Sequence, residues 1–194
     1  MLKLLFNSYL LGSIPFAYIF AWQWRKVDIR RIGSENVGTT NVFKQIGVLP
    51  GMLTAVCDAG KGIIAVMLGN TLAVGGEFIA LPMAMIGHNW PVWLGFHGGG
   101  GLATFIGGML VISKWWIILI LLGVWGIAYL VMKSHDRSAF VACSLSPIIL
   151  GTLHSSWSYF LFGIGSSLVV GIKRLFSIKK NRRLLELNNR VNSV

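Results

Sequence analysis

Asp58 and Lys61 stand three residues apart inside an otherwise apolar run, "MLTAVCDAGKGIIAVMLG". At that spacing on a helix they share a face and can pair. Charges in such a run are costly and mark either a functional site or a pair that orients its helix. No glycine stands five residues before Gly60, so "GKG" is not a Walker A phosphate loop. A second polar stretch, "DIRRIGSENVGTTNVFK" from Asp28 to Lys44, places Ser34, Asn36, Thr39, Thr40 and Asn41 around Gly33 and Gly38. Glycines and short polar side chains permit irregular backbone that aims N–H groups and hydroxyls at an anion. The same composition also suits a loop with helix caps. A third stretch, "GHNWPVWLGFHGGGGLAT", sets Gly98, Gly99, Gly100 and Gly101 ahead of an apolar run. Bare backbone leading into a helix N-terminus can hold a phosphate; the plainer alternative is a flexible turn. His88 and His97 can move protons or serve as structural residues. Ser144 and Ser146 lie in "RSAFVACSLSP", where serines usually bond back to their own helix. The sequence shows no His, Cys, Asp or Glu cluster with metal-ligand spacing and no G-x-S-x-G elbow.

These stretches are set between apolar runs that must hold them. The 194 residues are 55% apolar and 12% charged, with a mean hydropathy of +0.71. Soluble domains carry about 25% charged residues, so the composition implies an integral membrane protein. Seven apolar runs, near 3–22, 51–70, 74–93, 101–113, 115–132, 139–153 and 156–172, predict an all-α polytopic helix bundle. A full span takes roughly 20 residues; the fourth and sixth runs are short and suit tilted or re-entrant helices. Fourteen of the 17 Lys and Arg fall in 23–50, in 133–138 or from Lys173 onward, while Lys3 and Lys114 fall on the opposite side. The positive-inside rule then puts the N-terminus outside, and the C-terminus and the glycine loop on the cytoplasmic side. Topology accounts for the net charge of +11, so the expected partners are anionic lipids and anionic substrates, not nucleic acid. The first run lacks a small-x-small cleavage site, and Trp22 and Trp24 suit an interfacial anchor, so it reads as a retained span. Residues 1–175 form one membrane domain in this reading. The basic tail 176–194 lies on the cytoplasmic surface or serves as a disordered solubilising segment. Gly107 and Gly108, Gly123 and Gly126, and Gly163 and Gly165 are expected to permit close helix packing. Cys57 and Cys143 form no recognisable framework.

Taken in order over residues 11–175, these motifs resemble the bacterial acyl-phosphate-dependent glycerol-3-phosphate acyltransferases. The family pattern begins G-S-I-P, found here as Gly12 to Pro15. D-I-R and G-S-G-N-x-G-A-T-N-x-x-R follow, matched by Asp28 to Arg30 and by Gly33 to Lys44. D-x-x-K-G is matched by Asp58, Lys61 and Gly62. G-H-x-x-P and F-x-G-G-K-G-V-A-T are matched by Gly87, His88 and Pro91, then by Phe96 and Gly98 to Thr104. S-L-x-S is matched by Ser144 to Ser146. The resemblance implies a seven-span enzyme of the bacterial inner membrane with its site facing the cytoplasm. It implies acyl transfer from acyl phosphate to the 1-hydroxyl of glycerol 3-phosphate, giving lysophosphatidic acid and phosphate for phospholipid synthesis, with no cofactor and no metal. No histidine has an aspartate five residues later, so the H-x4-D box of acyl-CoA-dependent acyltransferases is missing. Ser34, Asn36 and Lys44 would be catalytic. Thr40, Asn41, Lys61, His88, Gly98 to Gly101, Ser144 and Ser146 would bind substrate, with Lys61 either adding charge or holding the motifs together.

The family lysine of G-G-K-G is Gly100 here, the closing arginine is Lys44, and Glu35 replaces a glycine. In the last motif, H-x-x-N-I-x-R-L, Leu168 and Gly171 stand for histidine and asparagine, while Ile172, Arg174 and Leu175 are kept. His97, Arg30 or Arg31 would then replace the missing charge. A catalytically silent paralogue that binds lipid phosphates or partners is the second reading, and a small transporter the third. Restoring Gly100→Lys should raise activity if the site has decayed.

Overall fold

A computed structural model describes residues 1–191, with side chains to Phe176 except that of Asp136. These residues form nine α-helices and no strand. The first apolar run is broken into α1 (Leu2–Ser13) and α2 (Phe16–Arg25). Pro15 has no N–H to donate, and Ile14 before it is extended, at φ −61° and ψ 116°. The other six runs fall on α4 (Val48–Leu72), α5 (Glu77–Asn89), α6 (Leu102–Ile112), α7 (Trp115–Met132), α8 (His135–His154) and α9 (Trp157–Val191); α3 (Thr39–Gln45) lies in the polar stretch. Among the described residues, four stretches are long and apolar enough to cross a membrane: Leu2–Arg25, Val48–Leu72, Trp115–Met132 and Trp157–Phe176. At 1.5 Å per residue, α5 and α6 reach only about 20 Å and 16 Å, short of the roughly 30 Å hydrocarbon core. Large apolar side chains such as Leu119, Ile127, Leu130 and Val131 on α7 point outward, as expected for a membrane helix bundle.

Two close crossings set the frame, α1 against α5 and α4 against α6. A Cβ on Gly12 would lie 2.0 Å from the Ala84 carbonyl oxygen, and one on Gly62 would lie 2.0 Å from that of Thr104. Both glycines belong to the sequence motifs, so part of each motif is spent on letting backbones touch. Gly107 does the same against Ala59, and Gly163 against Pro147. Gly123, Gly126 and Gly165 do not; nothing lies within 4 Å of their Cβ positions. Their expected packing role is corrected: they sit on open helix faces.

The main core joins Leu81, Met85, Phe105, Met109, Ile117 and Leu150 across α5 to α8. A smaller cluster of Ala17, Ala21, Ile29, Val37, Val42 and Leu94 fixes the polar stretch against α2. Burying a side chain such as Ile29 or Val42 stabilises by roughly 1.5–3 kcal/mol, enough to seat an otherwise irregular loop. α9 runs without a break to Val191; the expected amphipathic face of the tail depends on side chains outside the described residues.

Candidate active site

The polar stretch is built around Asp28 and Asn41. Asp28 caps the short turn Ile29–Arg31, its Oδ1 accepting from the Arg30 N–H at 3.0 Å. The Arg30 side chain returns three further bonds, Nε to Oδ1 at 2.9 Å and to Oδ2 at 3.2 Å, and Nη2 to Oδ2 at 2.7 Å. It also donates to the Leu94 carbonyl and lies 5.3 Å from the Tyr18 ring centre. Arg30 is thus a tie between two loops, and Arg31 is 84% exposed beside Asp28; neither lines the cavity described below, so neither supplies its missing charge. The hydrogen bonds from Arg30 hold the Asp28 carboxyl below its ordinary value of 3.8. A depressed folded-state value means the stabilisation is complete above that ordinary value and lost as pH falls through the folded one. The stability difference between wild type and Asp28→Asn should therefore be flat from about pH 5 to 8 and shrink below about pH 4, as followed by thermal unfolding in detergent.

Asn41 is buried, and its amide organises the loop. Its Oδ1 accepts from the Ser34 N–H at 3.1 Å, and its Nδ2 donates to the carbonyls of Ile29, Ile32 and Asn36 at 3.1–3.2 Å. Asn41 therefore positions Ser34 and Asn36. Glu35 between them adopts φ +57°, a left-handed conformation that costs a non-glycine residue roughly 1–2 kcal/mol. Glu35→Gly should raise stability by about 1 kcal/mol and lower the KM for anionic substrates severalfold by removing a like charge. Unfolding midpoints and initial rates test the two effects separately.

Behind this loop lies a buried charged cluster. Lys61 Nζ and Asp58 Oδ1 are 2.8 Å apart, each side chain only 2% exposed. Lys61 also donates to the Ile14 carbonyl at 3.1 Å, the carbonyl freed by the break at Pro15. His88 Nδ1 faces Asp58 Oδ1 at 3.5 Å. One ion pair thus ties α4 to the α1–α2 break and to α5. Of the two roles open to Lys61, the geometry fits holding the motifs together, because Lys61 does not line the cavity.

The glycine loop rests on this cluster. The Gly99 N–H donates to the His88 carbonyl at 3.1 Å. A Cβ on Gly99 would lie 2.2 Å from His88 Nε2 and 2.4 Å from the Val37 carbonyl oxygen. Gly98 is pressed on the His88 carbonyl, and Gly101, at φ +75°, on the Asn89 side chain. Bare backbone is needed here because three elements meet on it. The loop ends where α6 begins, and the first N–H groups of that helix have no acceptor within it.

Both polar stretches open onto one cavity of about 850 Å³. Ser34, Asn36, Thr40, Asn41 and Lys44 line it from one side, and His88, His97, Gly98, Gly100 and Gly101 from the other. Gly99 lies just behind. Ser144 and Ser146 do not reach it. Ser144 is exposed, and the Ser146 hydroxyl donates back to the Cys143 carbonyl at 2.8 Å. Sequence reasoning missed Ser134, His135, Lys173 and Arg174, which also line the cavity. Arg174 was visible in the last motif, but the basic residues ending that apolar run were read as topology signals. Leu102 and Ile106 belong both to this cavity and to an apolar groove between α6, α7 and α8.

The glycerol-3-phosphate acyltransferase family pattern matches residues 2–185. The chain belongs to this family. A glycerol-3-phosphate acyltransferase of Desulforamulus reducens is 36% identical over 166 residues, covering 83% of this chain and 81% of its own. Two solved structures are similar, both of PlsY (YgiH), an integral membrane glycerol 3-phosphate acyltransferase. Its glycerol 3-phosphate form has a TM-score of 0.78 at 28% identity, covering 95% of this chain and 92% of its own. Its lysophosphatidic acid form has a TM-score of 0.74 at 27% identity, covering 96% and 92%. The fold is therefore that of a membrane acyltransferase, and these relatives do not favour the silent-paralogue reading.

Proposed function

We propose that this chain is the acyltransferase that joins an acyl group from acyl phosphate to glycerol 3-phosphate, at the cytoplasmic face of a bacterial inner membrane. The observation that carries the reading is the convergence of Ser34–Lys44 and Gly98–Gly101 on one polar cavity that meets an apolar groove. Such a site suits two phosphates, one of which carries a hydrocarbon tail. The solved relative in glycerol 3-phosphate and lysophosphatidic acid forms supports the acceptor and the product. The seven-span arrangement, with the short α5 and α6 supporting the site from within the bundle, rests on the basic loops flanking the apolar runs.

Acyl phosphate is an activated mixed anhydride, so the protein mainly positions two anions and stabilises developing charge. The glycerol hydroxyl oxygen bonds to the acyl carbon. The acyl carbon–oxygen bond to phosphate breaks, and its electron pair leaves with the phosphate. The hydroxyl proton passes to a phosphate oxygen, so no protein base is required. Ser34, Asn36, Thr40 and Lys44 face the acyl phosphate, and Gly98, Gly100 and Gly101 face the glycerol phosphate. His88 holds the loop that binds it. The acyl chain leaves the polar cavity past the apolar side chains of Leu102 and Ile106.

Purified protein given acyl phosphate and glycerol 3-phosphate should form lysophosphatidic acid and inorganic phosphate in equal amounts, and acyl-CoA should not replace the donor. Lysophosphatidic acid at background would overturn the reading and return the silent-paralogue alternative.

A further inference from the structure

A phosphate on the glycine loop needs a counter-charge at close range. Lys44 stands on the opposite wall, Arg30 is engaged with Asp28, and Lys61 is sealed behind the loop. From α9, however, Arg174 enters the cavity with only 4% of its surface exposed. A Cβ on Gly100 would lie 2.9 Å from Arg174 Nη2, 3.2 Å from Cζ and 3.5 Å from Nη1. The guanidinium is therefore laid against the bare Cα of Gly100. The neighbouring Lys173 pins this part of α9 in place, its Nζ donating to the Asn89 carbonyl at 2.8 Å and lying 5.6 Å from the Trp90 ring centre.

We infer that Arg174 is the cation of the glycine-loop phosphate subsite, and that a side chain at position 100 would have to push this guanidinium aside. The inference rests on the reading that glycerol 3-phosphate sits on this loop. A guanidinium presents paired N–H donors in a fixed fork that matches two phosphate oxygens, which an ammonium cannot reproduce. The subsite thus has its own fork, delivered by α9 and not by the loop. A lysine introduced at position 100 would displace the cation already present instead of restoring one.

A double-mutant cycle tests this: wild type, Arg174→Gln, Gly100→Lys and the double variant. The readouts are KM for each substrate, and the thermal stabilisation that glycerol 3-phosphate confers in detergent. Loss of a buried charge-assisted contact should raise the KM for glycerol 3-phosphate about ten- to hundredfold in Arg174→Gln, with KM for acyl phosphate changed far less. Gly100→Lys should raise that KM in the wild-type background and lower it in the Arg174→Gln background. The opposite signs are the signature of a shared position. Arg174→Lys should fall between wild type and Arg174→Gln, and it carries the test if Arg174→Gln does not fold. Three results would overturn the inference: an unchanged glycerol 3-phosphate KM in the folded Arg174 variant, a rise confined to acyl phosphate, or an effect of Gly100→Lys with the same sign in both backgrounds. If wild type makes no lysophosphatidic acid, the proposed reaction fails. Stabilisation by glycerol 3-phosphate that Arg174→Gln abolishes would then still support the subsite, and stabilisation that persists in this variant would overturn it.

Discussion

Asp58→Ala leaves little folded protein. The carboxylate it removes is the ion-pair partner of Lys61 at 2.8 Å, in a place where both side chains are nearly sealed from solvent. The variant keeps a buried ammonium with only the Ile14 carbonyl to receive it. Breaking a buried pair from one side costs roughly 3–5 kcal/mol, because the surviving charge is left uncompensated. That is comparable to a large share of the whole stability of a domain. Lys61→Met should be similarly harmful: it strands Asp58 beside His88 and leaves the Ile14 carbonyl at the α1–α2 break with the Phe16 N–H as its remaining donor. Replacing both partners removes the stranded charge, so Asp58→Leu with Lys61→Met should recover more folded protein than either single change. Yield of monodisperse protein by size-exclusion chromatography, with thermal unfolding of each variant, measures the order. Native yields and midpoints in both single variants would show that the pair does not hold the helices.

Much of this arrangement was legible in the residues. Each apolar run falls on helix, though the first is broken into α1 and α2, and the spacing of Asp58 and Lys61 put them on one face, as observed. The convergence of the Ser34 loop with the glycine loop followed from basic residues flanking the same ends of the runs. What was illegible depends on contacts between distant elements. Nothing local announces that Arg30 reaches the Leu94 carbonyl or that Lys61 reaches that of Ile14. The serines of "SLS" sit in a motif, yet a helix turns each one to a fixed azimuth, and theirs is not the cavity's. Glycine is the most ambiguous letter of all. Gly62 and Gly123 look alike in an apolar run, but one touches a neighbouring backbone and the other faces open space. Arg174 was read for its charge and its place in the chain, whereas its role follows from which backbone it lies against.

Gly99→Ala should cost activity about a hundredfold or more, the effect expected when reacting groups are misplaced by about 1 Å. The added methyl carbon would stand 2.2 Å from His88 Nε2 and 2.4 Å from the Val37 carbonyl oxygen. Neither neighbour yields freely. The His88 ring is backed by Asp58, and the Val37 carbonyl is main chain held by the cluster of Ile29, Val42 and Leu94. One methyl therefore wedges apart the two walls that carry the phosphate-facing groups. Overpacking of this kind also destabilises by roughly 1–3 kcal/mol, so the purified variant should still be folded and should show its defect mainly in turnover and substrate KM. Gly60→Ala supplies the contrast. Gly60 lies between Asp58 and Lys61 in the chain, but nothing stands within 4 Å of its Cβ position. Alanine there should leave the rate near wild type and raise stability by about 0.5–1 kcal/mol through helix propensity. Initial rates and unfolding midpoints of the two variants decide the matter. Equal damage from both would mean that proximity in the chain governs sensitivity, and a Gly99→Ala enzyme with wild-type rates would show that the two walls are not coupled through this residue.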